Sequence, residues 1–401
     1  QMPAGFLWGA ATAAYQIEGG VKADGRGPSI WDPFCKVPGR VKDGSSGDNA
    51  CWSYQRWAED VQQLKDLGAR GYRFSIAWPR VLPEGRGRVN DKGFDYYSRL
   101  VDALLKNGIQ PFVTLYHWDL PLALQDRGGW QSRATAEAFA EYAALAVSRL
   151  GDRVKHWMTF NEIATFLSKG YELGIYAPGL RLKGKPLAQT YHHVLLAHGL
   201  GVQAARAARA DARMGVALDP YTPVPVIEDA AHLAACEAAY ERFNAFLMDP
   251  IYRGTYPTFL EALPDIQPQD MKLISQPLDF TGLNVYSGLY TVPSDGPLGY
   301  ALPDFPLHYP TAHDLDWMRF LPQSLGWAVR HLHRRYGCKE IYITENGYST
   351  DSRRDEESSC NDLDRILYLR CYLRDLHQVI AEGAPVRGYF HWSLLDNFEW
   401  A

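Results

Sequence analysis

Two carboxylates stand at the ends of similar segments. In Ile341-Tyr342-Ile343-Thr344-Glu345-Asn346-Gly347 a β-branched, aromatic-rich run ends in Glu345, and an Asn-Gly turn signal follows at once. In His156-Trp157-Met158-Thr159-Phe160-Asn161-Glu162 the same form ends in Glu162. Each reads as a buried strand that delivers a Glu to the place where the chain leaves the sheet. Packing does not ask for Glu there, because an ionised Glu is almost never buried unpaired. A carboxylate pair suits glycoside hydrolysis, in which one acid protonates the leaving oxygen and the other attacks the sugar or activates water.

The elements that would position this pair alternate along the chain. Strands are expected at Phe6–Thr12, Tyr72–Trp78, Pro111–Trp118, His156–Glu162, Met214–Asp219, Phe280–Tyr286, Ile341–Glu345 and Val386–Ser393. Between them, apolar residues recur at helical spacing from Trp52 to Leu67 and again at Phe94, Tyr97, Val101 and Leu104. Further helices are expected at Ala134–Leu150, Leu187–Asp211, Asp229–Met248, Ser324–Tyr336 and Asp362–Glu382. Alternating strand and helix argues for a parallel sheet. No Gly-x-Gly-x-x-Gly follows the first strand. The expectation is therefore an α/β chain folded as one (β/α)8 TIM barrel over residues 1–401, not a doubly wound sheet. Tyr290 to Asp314, which includes a Pro-rich insertion, reads as one long loop over the barrel mouth.

Strand ends of a barrel converge on one face, where active sites sit. The residues expected there are Gln16, Arg73, His117, Trp118, Asn161, Glu162, Asn284, Tyr286, Glu345 and Trp392. Two carboxyls facing each other across a narrow mouth at roughly 5 Å would imply retention of anomeric configuration. Other readings exist for single residues. A lone His117 reads as a core histidine, and its strand-end position is what favours sugar binding. Glu162 and Glu345 could pair with Arg73 as structural ions. His192, His193 and His198 lie on a helix beside Leu195 and Leu196, where packing and surface roles are expected and a metal site is not.

The residues resemble those of glycoside hydrolase family 1, the β-glucosidase family. Thr159-Phe160-Asn161-Glu162 and Ile343-Thr344-Glu345-Asn346-Gly347 resemble its acid/base and nucleophile motifs. The resemblance extends to Phe6–Glu18, Tyr72–Arg80, Val113–Leu120 and His391–Trp400, and so covers the chain. It implies a (β/α)8 barrel and a two-step retaining mechanism without a cofactor. Carried over by motif, Glu162 is the acid/base and Glu345 the nucleophile, with Arg73 and Tyr286 as hydrogen-bond partners of Glu345. Gln16, His117, Asn161, Glu399 and Trp400 would hold sugar hydroxyls. Trp392 would floor the ring, Trp118 line its edge, Asn284 order the pocket and Trp317 serve the aglycone. Three departures stand out. Ile163 follows the acid/base Glu where the family has Pro. Gln323 stands where Glu is common. The chain stops at Ala401, and the natural protein is expected to extend further, with the helix that a barrel needs after its last strand.

Composition narrows the remaining classes. A net charge of −5 without a basic block gives no reason to expect nucleic acid. Six cysteines show no C-x-x-C spacing, so neither a disulfide framework nor a metal site is expected. No apolar run reaches membrane-spanning length. The start, Gln1 to Phe6, lacks signal-peptide form, which points to a cytoplasmic protein. Asp351 to Glu357 reads as an exposed loop. The expected partners are small β-glucosides or oligosaccharides, with no nucleic acid and no membrane; the oligomeric state stays open. The alternatives are a sugar-binding protein with weak catalysis and a 6-phospho-β-glycosidase. Glu399 speaks against the second, since an ionised carboxylate accepts from sugar hydroxyls and repels phosphate.

Overall fold

The computed structural model describes residues 2–312, 315–350 and 362–401. Asp351 to Glu357, expected as a loop, lies outside them. Eight strands close into a barrel: β1 (Leu7–Ala11), β2 (Gly71–Ser75), β3 (Gln110–Tyr116), β4 (His156–Asn161), β5 (Arg213–Leu218), β6 (Thr281–Asn284), β7 (Ile341–Asn346) and β8 (Val386–Trp392). Their order around the barrel follows the sequence. Pairing is parallel, with Arg73 opposite Phe112 and Phe112 opposite His156. Between the strands run α1 (Ser53–Asp66), α2 (Asp91–Lys106), α3 (Arg133–Leu150), α4 (Gly184–Ala208), α5 (Ala230–Arg253), α6 (Gln323–Tyr336) and α7 (Leu363–Ala381). The fold is the expected (β/α)8 barrel.

The causes are local. Every residue of β2 and β4 is buried, as parallel strands covered by helices require. In α2 the periodic residues Phe94, Tyr97, Val101 and Leu104 are all buried. That helix stops at Gly108, whose φ of 70° is the left-handed conformation that closes helices.

Some boundaries differ from expectation. Trp78 and Pro79 do not extend β2; they open a helical turn, Trp78–Val81, because proline fits the first turn of a helix. His117 and Trp118 lie beyond β3, since Trp118 has a φ of 77° that no strand tolerates. Tyr290 to Asp314 is not a plain loop. Its described part contributes to a small sheet of Pro223–Pro225, Leu289–Pro293 and Tyr300–Ala301, and Thr311–Ala312 pairs with Leu315–Arg319.

Contacts divide the chain into two compact units. One comprises Trp8–Leu218, Phe246–Gly282 and Ser393–Ala401. Within it α4 packs closely on α3, and a Cβ at Gly201 would press on the Phe139 ring at 2.6 Å. The other comprises Gln1–Leu7, Asp219–Ala245 and Leu283–Trp392. Within it Val224, Leu321 and Trp327 form a core joined by Leu233, Tyr290 and Phe305. No helix among the described residues is long and apolar enough to cross a membrane.

The packing of α4 is testable at Gly199. A methyl group there would fall on the backbone oxygen of Leu273, in the short helix Asp270–Ile274. Gly199→Ala is expected to cost about 1–3 kcal/mol through overpacking. Urea unfolding should show a lower midpoint at an unchanged slope.

Candidate active site

The first unit carries most of the expected polar residues. Arg73 lies on β2 with no exposure, and its Nη2 donates to Asn161 Oδ1 at 2.6 Å. This orients the amide, and Nδ2 of Asn161 reaches Nε2 of His117 at 3.1 Å. With Nδ2 donating, His117 accepts at Nε2 and is neutral. Burial, and then the Arg73 charge, push the His117 pKa well below its ordinary value. Asn161 also serves through its backbone, whose oxygen accepts from Trp118 Nε1 at 2.9 Å. Glu162 follows directly and takes φ 50° and ψ 64°, a left-handed residue at the N-terminus of the short helix Ile163–Leu167. Its N–H donates to Ala217 O on β5 at 2.9 Å. Ile163 is fully buried.

Gln16 sits in a helical turn after β1 and is also fully buried. Its Nε2 donates to Asn397 Oδ1 at 2.9 Å and to Phe398 O at 2.8 Å, and lies 3.5 Å from Glu399 Oε2. The amide nitrogen expected to hold a sugar hydroxyl is therefore occupied by the chain's last segment. Its Oε1 is buried without a protein partner and is the end able to accept a hydroxyl. The same segment presents Glu399 to solvent and turns at Trp400, whose φ is 63°. Trp400 stacks on the His117 ring at 6.1 Å and lies 4.5 Å from Trp118.

Several neighbours were not anticipated from the sequence. Trp31 packs on Trp400 at 4.6 Å and donates to Trp118 O at 3.2 Å. Tyr176 lies 5.8 Å from Trp118. Lys169, seven residues past Glu162, places its Nζ 3.1 Å from Tyr176 OH and 4.6 Å from the ring centre. Burial disfavours its charge, but Tyr176, Glu162 and Glu399 outweigh that and raise its pKa. Lys169 thus shares the field of Glu162 and Glu399. The sequence signal was only a lysine spaced seven residues from the acid, too weak to single out.

The second unit holds Glu345, Asn284, Tyr286, Trp317 and Trp392. Glu345 is 3% exposed, and its Oε2 accepts from Tyr286 OH at 2.7 Å. Asn284 Oδ1 accepts from Thr344 at 2.7 Å, tying β6 to β7. Tyr286 is held from behind, its carbonyl accepting from Tyr368 OH at 3.0 Å and Tyr372 OH at 2.8 Å. Trp317 is 48% exposed and meets the Tyr286 ring edge-on at 6.0 Å. Trp392 ends β8; its backbone oxygen lies where a side chain at residue 347 would stand, which accounts for Gly347.

Among the described residues no group of His, Cys, Asp or Glu could hold a metal ion. His192 is 2.9 Å from both Asp270 and Tyr256, His193 bonds the Trp130 carbonyl, and His198 bonds Thr159. All three are buried, so of the packing and surface roles expected for them only packing applies.

Comparison with known proteins adds the following. The sequence matches the description Glycosyl hydrolase family 1 over residues 1–401. It is 43% identical to Beta-glucosidase A of Thermotoga maritima, over all of this chain and 90% of that protein. It is 44% identical to a Beta-glucosidase of Agrobacterium sp., over all of this chain and 88% of that one. The solved structure of the Thermotoga maritima β-glucosidase in complex with azafagomine superposes with a TM-score of 0.91 at 42% identity, covering all of this chain and 91% of that chain.

Buried neutral histidines predict acid sensitivity. His117, His198 and His331 are buried, with pKa values pushed down, to about 3 for His198 and about 4 for His331. Unfolded, each returns to about 6.5. Below that pH the unfolded chain binds more protons, so stability is full above about pH 6.5 and falls with acid. Each histidine should contribute a slope of about 1.4 kcal/mol per pH unit until its folded pKa is passed. Urea midpoints at pH 5 and pH 7 check the sum, and NMR of His117 should show an unprotonated ring at both.

Proposed function

The chain belongs to glycosyl hydrolase family 1, and on that premise we propose that it hydrolyses terminal β-D-glucosides with retention, Glu345 acting as nucleophile and Glu162 as acid/base. The observation that carries the assignment is the Tyr286 hydroxyl on Glu345 at 2.7 Å. That bond holds one carboxylate oxygen still, leaving the other to attack. In the first step Glu345 bonds to the anomeric carbon, the bond to the aglycone oxygen breaks, and the proton of Glu162 goes to that oxygen. In the second, Glu162 takes a proton from water, the hydroxide attacks the anomeric carbon, and Glu345 leaves. Retention calls for the two carboxyls to stand about 5 Å apart.

Gln16, His117, Asn161, Glu399 and Trp400 are assigned to the sugar hydroxyls in this proposal. Trp392 and Trp118 are assigned to the faces and edge of the ring, Asn284 and Arg73 to ordering Glu345, and Trp317 to the aglycone. Glu399 favours a neutral sugar over a 6-phosphorylated one. The partners proposed are small β-glucosides or oligosaccharides, with fucosides and galactosides as further candidates. A cytoplasmic location remains part of the proposal, consistent with the free thiols of Cys35, Cys51, Cys236, Cys338 and Cys371.

A panel of aryl β-glycosides tests the reading, with NMR of the first-formed product. β-Glucose should appear first, and an α-anomer would overturn the mechanism. Glu345→Ala should lose turnover by about 10³-fold or more. Glu162→Ala should keep more activity on aglycones that leave without a proton. Binding of glucosides without any turnover would support the sugar-binding alternative. A higher kcat/KM for a 6-phospho-β-glucoside than for its neutral counterpart would replace the neutral-sugar assignment.

A further inference from the structure

Asp119 follows His117 and Trp118 directly, yet no step of the proposed reaction uses it. Its side chain has no exposure to water, and neither carboxyl oxygen meets a hydrogen-bond partner outside its own residue. The charged groups that face it are Arg26, Glu18 and Asp32. Arg26 already donates to Asp32 at 3.0 Å. Glu18 is taken by Arg80 at 2.8 Å and by Tyr97 OH at 2.6 Å. Three carboxyls thus share two guanidiniums, each of them committed. An ionised Asp119 would be a dry, unpaired anion beside two others, and such a group takes up a proton instead.

The backbone ties this carboxyl to the sugar side. Residues 118–122 are strapped to residues 28–31. Trp31 Nε1 donates to Trp118 O at 3.2 Å, Ile30 N to Leu120 O at 2.9 Å, and Leu122 N to Pro28 O at 2.8 Å. Asp32 closes one side of the strap and Asp119 belongs to the other. Trp118 is the left-handed residue of this strap and packs on Trp400. We propose that Asp119 is a positioning residue that works as the neutral acid, and that loss of its proton sets it against Asp32, loosens the strap and displaces Trp118.

The proton balance gives the sign. Burial first, then Glu18 and Asp32, raise the Asp119 pKa to about 8, against the pull of Arg26 and its own backbone N–H. Tyr116 and Tyr142 also face it, and both are held protonated by burial. In the unfolded chain the carboxyl titrates near 3.9. Between these values the folded state holds one proton more, so stability falls as pH rises and levels off once Asp119 ionises in the fold. Asparagine at this position does not titrate.

The test compares the full chain with Asp119→Asn. Melting temperatures without substrate should diverge steadily between about pH 4 and pH 8 in favour of the variant, then stay parallel. Tryptophan fluorescence of the unmutated chain should show a reversible step near pH 8 that the variant lacks. A constant melting offset across the range, or a fluorescence step that persists in the variant, overturns the proposal. If Asp119→Asn does not fold, the unmutated chain decides: a step near pH 8 supports the proposal and its absence sinks it. The link from Trp118 to sugar rests on the proposed function, but neither readout needs a substrate. A chain that shows both signatures and hydrolyses no glycoside refutes the function alone; a hydrolase without them refutes the positioning role alone.

Discussion

The Arg73 guanidinium has no access to water, so the fold must supply its acceptors. One of them is Asn161 Oδ1, and that single bond fixes which way the amide faces. Asn161 Nδ2 then points at His117, which becomes an acceptor and, beside the Arg73 charge, stays neutral. The Asn161 carbonyl receives the Trp118 indole, and Glu162 is the next residue. A buried cation on β2 thereby orders the ends of β3 and β4. The registers that set Arg73 opposite Phe112 and Phe112 opposite His156 make this reach possible.

The barrel was legible because strands such as β2 and β4 are buried throughout and helices such as α2 keep their apolar spacing. Their exits were less so. Trp78 and Trp118 look like strand residues by type, yet one opens a helical turn and the other is left-handed. Residue type does not reveal such changes of backbone direction. The catalytic candidates were readable from motifs, and Tyr286 on Glu345 follows that reading. Trp31, Tyr176 and Lys169 were not, because they come from segments without periodicity and approach only in the fold. Gln16 does follow the first strand, but that its nitrogen is taken by Asn397 and Phe398 was not readable. The isolation of the Asp119 carboxyl was beyond the sequence altogether, since it depends on which carboxyl each arginine has chosen.

Strain is concentrated at the same place. Among the described residues seven that are not glycine have left-handed backbone, and Trp118, Glu162 and Trp400 are three of them. Each such residue costs on the order of 1–3 kcal/mol and persists only where its surroundings over-determine it. Indole stacking does so for Trp118 and Trp400, and the bond to Ala217 O helps to do so for Glu162. Aromatic packing here therefore also fixes the backbone. It keeps Trp118 and Trp400 in conformations that they would leave if the packing were thinned.

The bonds from Gln16 to Asn397 and Phe398 join residues that lie 381 and 382 positions apart in the sequence. A ribosome makes the two segments at different times. Seven strands can emerge and pair while Gln16 still faces an empty berth and His117 lacks the indole that stacks on it. A growing chain therefore carries Glu162 and Glu345 before it carries the partners of Gln16. Synthesis must pass Phe398 before the exit of the first strand can settle against them.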